Sequence, residues 1–223
     1  MMKEGIHLKV LDGQRRKLLV KLAYLKPVSR FYMAGGTGLA LVAGHRRSAD
    51  FDFFRESPKG DLPGVEGLRR ALTGLEGGKI HRQEEGALHA EVGGIRLSFL
   101  AYAHGLLRKT HEWKGLAIAH PLDIGLMKLA AIIQRGSKRD FIDLACIIRR
   151  YASLGELIRL AQVKFPETHD FAVQASHALV YFADADGQPD PEMLEEGYSW
   201  NGIKALVEKE TRRVFKKAVK GDG

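Results

Sequence analysis

The sequence predicts an α+β protein, with a mixed β-sheet core in its first half and helices in its second. Three observations carry this. Short apolar segments bounded by glycines crowd residues 30–102, and a Gly-Gly pair at 93–94 separates two of them. From Pro121 onward apolar residues recur at helical spacing instead. The change of texture divides the chain into a core over 1–120 and a helical region over 121–223 that is expected to pack on it.

In chain order, "RRKLLVKLAYLKPV" (15–28) has apolar residues at 18, 19, 22, 23 and 25, a helical stripe closed by Pro27. "RFYMA" (30–34) reads as a strand entering a turn at Gly35-Gly36. "TGLALVAG" (37–44) reads as a short helix with Thr37 able to cap its first turn and Gly44 to end it. "DFDFF" (50–54) alternates as a strand does, "SPKGDLPG" (57–64) is loop, and a helix follows around 65–75. "KIHRQ", "LHAEV" and "IRLSFLAY" are three strands, the last two forming a hairpin about Gly93-Gly94. That register sets Val92 opposite Ile95, Glu91 opposite Arg96 and His89 opposite Ser98. A cross-strand Glu91–Arg96 ion pair is the expected consequence.

The second half predicts helices at 121–134 and 137–151, joined by a turn at Gly136, then at about 154–164, 170–182 and 201–219. "DADGQPDPE" (184–192) reads as a surface loop, and there is no internal repeat. The basic helix "KALVEKETRRVFKKAVK" (204–220) suits RNA, a partner groove or plain solvent.

With 35 Lys+Arg against 27 Asp+Glu, the 223-residue chain carries +8, a balance that favours polyanions such as RNA or nucleotides. The one cysteine, Cys146, excludes an internal disulfide and reads as core filling. No apolar run reaches the roughly 18 residues that span a bilayer. The opening "MMKEGIHLKV" lacks the apolar segment of a signal peptide. A cytoplasmic protein without a membrane segment is expected.

Chemistry concentrates in "GGTGLALVAGHRRSADFDFF" (35–54). Side chains two apart on a strand share a face, so Asp50 and Asp52 project together while Phe51 and Phe53 turn into the core. Two carboxylates side by side repel unless a cation lies between them, and magnesium is the usual one where phosphate is also bound. Gly35 and Gly36, at a strand-to-helix bend, let backbone N–H groups and the helix N-terminus approach phosphate oxygens. In the basic loop "HRRS", Arg47 and Ser48 are candidates to meet phosphate. There is no Walker lysine and no G-x-G-x-x-G spacing, so those two nucleotide-binding modes are not expected.

These residues resemble the signature of the nucleotidyl transferase AbiEii/AbiGii toxin family: Gly-Gly-Thr, a Leu/Ala-rich helix, His-Arg-x-Ser, and Asp-x-Asp followed by aromatics. "KLAAIIQRGSKRDFIDLACIIRR" (128–150) resembles the family's Lys…Arg…Arg-Asp-x-x-Asp helix pair. The resemblance covers roughly residues 30–167 and implies a polymerase-β-like nucleotidyltransferase fold. It implies a toxin of a toxin–antitoxin or abortive-infection system, moving a nucleotide from an NTP to an acceptor such as RNA or tRNA. A cognate antitoxin protein would be its partner.

Position by position, it implies that Gly35, Gly36 and Thr37 hold the triphosphate and that Asp50 and Asp52 bind Mg2+, with two ions possible. Lys128 and Asp143 match the second block's nucleotide-contacting and acidic positions. Members of the superfamily usually have a third carboxylate on a later strand, where this sequence has Ser98. Substrate-assisted attack, or an acid from elsewhere such as Asp143 acting as a catalytic residue, would fill that gap. Transfer to a small molecule is one alternative, and a degenerate protein that only binds, supported by Ser98, is another.

From the residues alone, Lys128 lies off the stripe Leu122, Leu126, Leu129 and Ile133 and reads equally as a solvated lysine. Arg135 shares its face. Asp140 stands three residues after Ser137 and reads as part of a capping box. Asp143, four residues after Arg139, reads as an ordinary ion-pair partner.

Overall fold

Asp12 caps the first helix by accepting a hydrogen bond from Arg15 N–H, and α1 runs Gly13–Ala23. It stops five residues short of the expected end. Tyr24 N–H turns back to Lys21, the backbone before Pro27 disfavours helix, and a 3-10 turn at Val28–Arg30 follows. The computed structural model describes residues 5–220, with side chains up to residue 216. The first four residues of the opening stretch and the side chains of Lys217 and Lys220 lie outside the described residues. The chain forms two compact units, Met1–His120 and Pro121–Gly223.

The first unit is a seven-stranded mixed sheet. Its strands are β1 (Tyr32–Met33), β2 (Phe51–Glu56), β3 (Gly78–Glu84), β4 (Ala87–Val92), β5 (Ile95–Tyr102), β6 (His111–Trp113) and β7 (Leu116–Ile118). The spatial order is β3-β4-β5-β2-β1-β7-β6. β4 and β5 pair antiparallel in the expected register, with Val92 on Ile95, Glu91 on Arg96 and His89 on Ser98. Gly93 and Gly94 both have positive φ (57° and 80°), as their two-residue turn requires. The β6–β7 hairpin was not legible in the sequence; its strands are three residues each, and its turn has Gly115 at one position but a lysine, Lys114, at positive φ (49°) at the other. β2 lies parallel to β5 and antiparallel to β1.

Helix α2 (Gly35–Ala43) joins β1 to the segment before β2, and α3 (Val65–Thr73) packs under β3 and β4. One sheet face carries the core. Phe51, Phe53 and Phe99 are fully buried, and the Phe53 and Phe99 rings stack at 4.8 Å. Burying each such ring contributes roughly 1.5–3 kcal/mol, so the alternation in "DFDFF" fixes which face of β2 turns inward.

The second unit is helical: α4 (Pro121–Arg135), α5 (Lys138–Arg150), α6 (Leu154–Lys164), α7 (Phe171–Ala178), a short α8 (Ala183–Asp186) and α9 (Trp200–Lys220). Ser137 and Ser153 cap α5 and α6 by accepting from the N–H three residues on. Burial pushes the Cys146 thiol up to about 12, which fits a packing role. The segment expected as a surface loop begins inside α8. Beyond it, the Gln188 side chain accepts from Lys138 N–H, and Asp190 accepts from Lys138 Nζ at 3.0 Å. No helix among the described residues is long and apolar enough to cross a membrane.

Candidate active site

The bend at Gly35 and the strand at Asp52 are built against each other. Ala34 N–H donates to the Asp52 carbonyl at 3.1 Å, which brings the end of β1 beside β2. Gly35 has φ +63°, and a Cβ there would lie 3.0 Å from Asp52 Oδ2. The Asp52 carboxylate therefore rests on the glycine that opens α2. Gly35→Ala is expected to cost about 1–2 kcal/mol for its left-handed backbone, lowering the melting temperature by about 4 °C. A thermal unfolding curve that overlays wild type would contradict that placement.

Thr37 does not cap α2. The helix starts two residues earlier, and Ala34 takes the cap position without a side-chain bond. Thr37, 1 % exposed, points instead across to the returning chain: its hydroxyl donates to the Asp50 carbonyl and lies 2.6 Å from the Ser48 hydroxyl. This side chain fixes the segment that delivers Asp50. Ser48 N–H bonds Val10, and Arg47 Nη1 donates to the Lys9 carbonyl at 3.1 Å. The basic loop is thus anchored on the chain preceding α1. Gly36 is the second residue of α2, where a backbone N–H has no acceptor within the helix.

Asp50 precedes β2, whose first residue is Phe51. Its two carboxylate oxygens accept from Arg96 Nε and Nη2 at 3.0 and 2.9 Å. Asp52 is the register partner of Ser98. Arg96 and Ser98 are two apart on β5 and so share a face, which puts Asp50 and Asp52 on that face together. His89 and Glu91 of β4 are their cross-strand neighbours. The expected Glu91–Arg96 pair is not what forms: Glu91 Oε2 lies 3.3 Å from His81 Nε2, and Arg96 turns the other way to Asp50. Sequence reasoning missed Arg96 because only the parallel β2–β5 pairing sets a carboxylate beside it.

The donor chemistry suits a hard cation. Two carboxylates are the protein's usual share of a magnesium site whose other ligands are phosphate and water. Among the described residues no group of three or more His, Cys, Asp or Glu side chains gathers as a metal cluster.

In the second unit, Lys128 is neither on the surface nor solvated. It is 6 % exposed, and its Nζ lies 2.8 Å from Asp140 Oδ1 and 2.7 Å from Asp143 Oδ2. Arg135 Nε adds a 3.0 Å bond to Asp140, and the Ser137 hydroxyl another at 2.6 Å. Burial pushes the Asp140 carboxyl up, but Lys128, Arg135 and Ser137 outweigh it and hold it below the ordinary carboxylate range. Asp143 is completely buried and pairs with Lys128 across α4 and α5 rather than with Arg139 on its own helix. Asp140 keeps its place in the cap, and its carboxylate also closes this network.

The fold is that of the nucleotidyltransferases. JHP933 from Helicobacter pylori aligns over 94 % of this chain and 95 % of its own, at a TM-score of 0.52 and 16 % identity. MenT4, a nucleotidyltransferase toxin of Mycobacterium tuberculosis, aligns over 89 % and 82 % at 0.57 and 18 %. The antibiotic-resistance factor ANT(2'')-Ia aligns over 75 % and 98 % at 0.55 and 12 %. In sequence, the chain is 36 % identical over 197 residues to the uncharacterized protein aq_aa25 of Aquifex aeolicus, covering 83 % of this chain and 93 % of the relative. It belongs to the same family as that protein. No family model matches the sequence.

Proposed function

We propose that this protein is a nucleotidyltransferase that moves a nucleoside monophosphate from an NTP to an acceptor hydroxyl on RNA or tRNA. It acts as the toxin of a toxin–antitoxin or abortive-infection pair similar to the AbiEii/AbiGii family. The observation that carries this is the Asp52 carboxylate resting on the Gly35 bend, within a nucleotidyltransferase fold. MenT4, a toxin by its own description, supports the biological role. The cytoplasm, which supplies both NTP and RNA, is the setting.

In this reading the N–H groups of Gly35, Gly36 and Thr37 receive the triphosphate, with Arg47 and Ser48 beside them. Asp50 and Asp52 hold Mg2+, which when bound neutralises charge developing on the attacking and leaving oxygens. The acceptor oxygen bonds the α-phosphorus as the bond to the β-phosphate bridge breaks, and pyrophosphate leaves. With Ser98 beside Asp52, the acceptor proton passes to a phosphate oxygen of the substrate rather than to a third carboxylate. The chain's contribution is positioning and fixed charge. Lys128 and Asp143, a nucleotide contact and an acidic group by resemblance, contribute through the ion pair that joins α4 to α5.

The test is incubation with each α-labelled NTP and total RNA. Label is expected in RNA, and chelation of divalent cations is expected to abolish it. Transfer that survives chelation would remove the metal from the reading. Ser98 favours one other reading, a binding protein without turnover. Metal-dependent NTP retention with no labelled product, on RNA or on small hydroxylated acceptors, would select it.

A further inference from the structure

The Asp50 carboxylate is already engaged by a cation of the chain's own. Arg96 reaches it with two parallel bonds, from Nε and Nη2, while its own cross-strand neighbour Glu91 turns to His81. The Arg96 side chain is 74 % exposed and that of Asp50 35 % exposed. A pair in that much water is held weakly, despite its two-pronged geometry. Arg96 gains no burial there and is displaceable.

We infer that Arg96 is a positioning residue that stands in for the metal: it holds Asp50 in place while the site is empty and competes with a free divalent cation for the carboxylate. This rests on the proposed metal site. The competition has a direction. A free cation must displace the guanidinium before it can use Asp50. A cation arriving with a triphosphate brings phosphate oxygens as further ligands and wins the exchange. The arrangement therefore favours loading of metal and nucleotide together over metal alone.

Mn2+ binding to the full chain without nucleotide, read by electron paramagnetic resonance of the free ion, tests this. Arg96→Gln is expected to tighten Mn2+ binding about five-fold, the scale of an exposed charge pair. With a non-hydrolysable NTP present the gain is expected to shrink to less than about two-fold. Arg82→Gln removes the same charge from β3, two strands from β5, and is expected to leave Mn2+ binding unchanged. Equal affinity in wild type and Arg96→Gln would overturn the inference while leaving the metal site standing. Equal tightening in both variants would reduce the effect to net charge and overturn it too. Mn2+ binding indifferent to Asp50→Ala and Asp52→Ala would instead overturn the metal site itself, and the inference with it.

Discussion

Asp52→Asn is expected to lower nucleotide transfer about a thousandfold, equivalent to ~4 kcal/mol of transition-state stabilisation. The substitution keeps the shape of the side chain against Gly35 and removes only its charge. Asp52 is half-buried in the site and its backbone pairing to Ala34 and Ser98 is unaffected, so the fold is expected to survive. Melting temperature and circular dichroism should match wild type, which separates lost chemistry from lost structure. Asp50→Ala combined with Asp52→Ala should leave no labelled product at all. A single Asp52→Asn variant that retains a tenth of wild-type transfer would show that the reaction does not run through this carboxylate.

Lys128→Met is expected to destabilise the second unit by about 3–5 kcal/mol, the cost of leaving buried carboxylates without their cation. Methionine fills similar volume, so the loss is electrostatic rather than a cavity. Asp140 retains Arg135 and Ser137, whereas Asp143, with no exposed surface, loses the ammonium 2.7 Å away. Total stability of a domain is only about 5–15 kcal/mol, so the variant should unfold at much lower urea or fail to accumulate. Adding Asp143→Leu to Lys128→Met should recover a good part of the loss, because one of the two buried carboxylates that lost the ammonium goes with it. A urea midpoint for Lys128→Met within error of wild type would mean that the network carries no weight.

Where the information is local, the sequence is sufficient. Apolar spacing sets α4 through α7 and α9, and a serine three residues before an acidic residue marks the cap of α5. A Gly-Gly pair determines the β4–β5 register residue by residue, since only glycine adopts that turn freely. Period-two alternation turns Phe51 and Phe53 inward and leaves Asp50 and Asp52 outward. The candidate site was legible for the same reason, being one continuous stretch from Gly35 to Asp52.

Partners across distant segments were not legible. Arg96 has Glu91 as its hairpin neighbour, yet β2 inserted beside β5 offers Asp50, and a two-pronged bond to a carboxylate outcompetes a side-by-side pair. Lys128 reads equally as a solvated lysine, Asp140 as part of a cap and Asp143 as an ion-pair partner, each within its own helix. Only the packing of α4 on α5 brings one ammonium and two carboxylates together out of water. A signal was there, a lysine in one helix and acids three residues apart in the next, but apolar stripes do not count it. Thr37 likewise looks like a cap until the chain returns from Ser48 to Asp50 and gives its hydroxyl a better acceptor. The sequence alone determined the elements, the inward faces and the stretch that carries the chemistry, because those follow from neighbours along the chain. Tertiary structure alone decided which charge meets which, because ion pairing depends on distance in space and on exclusion of water.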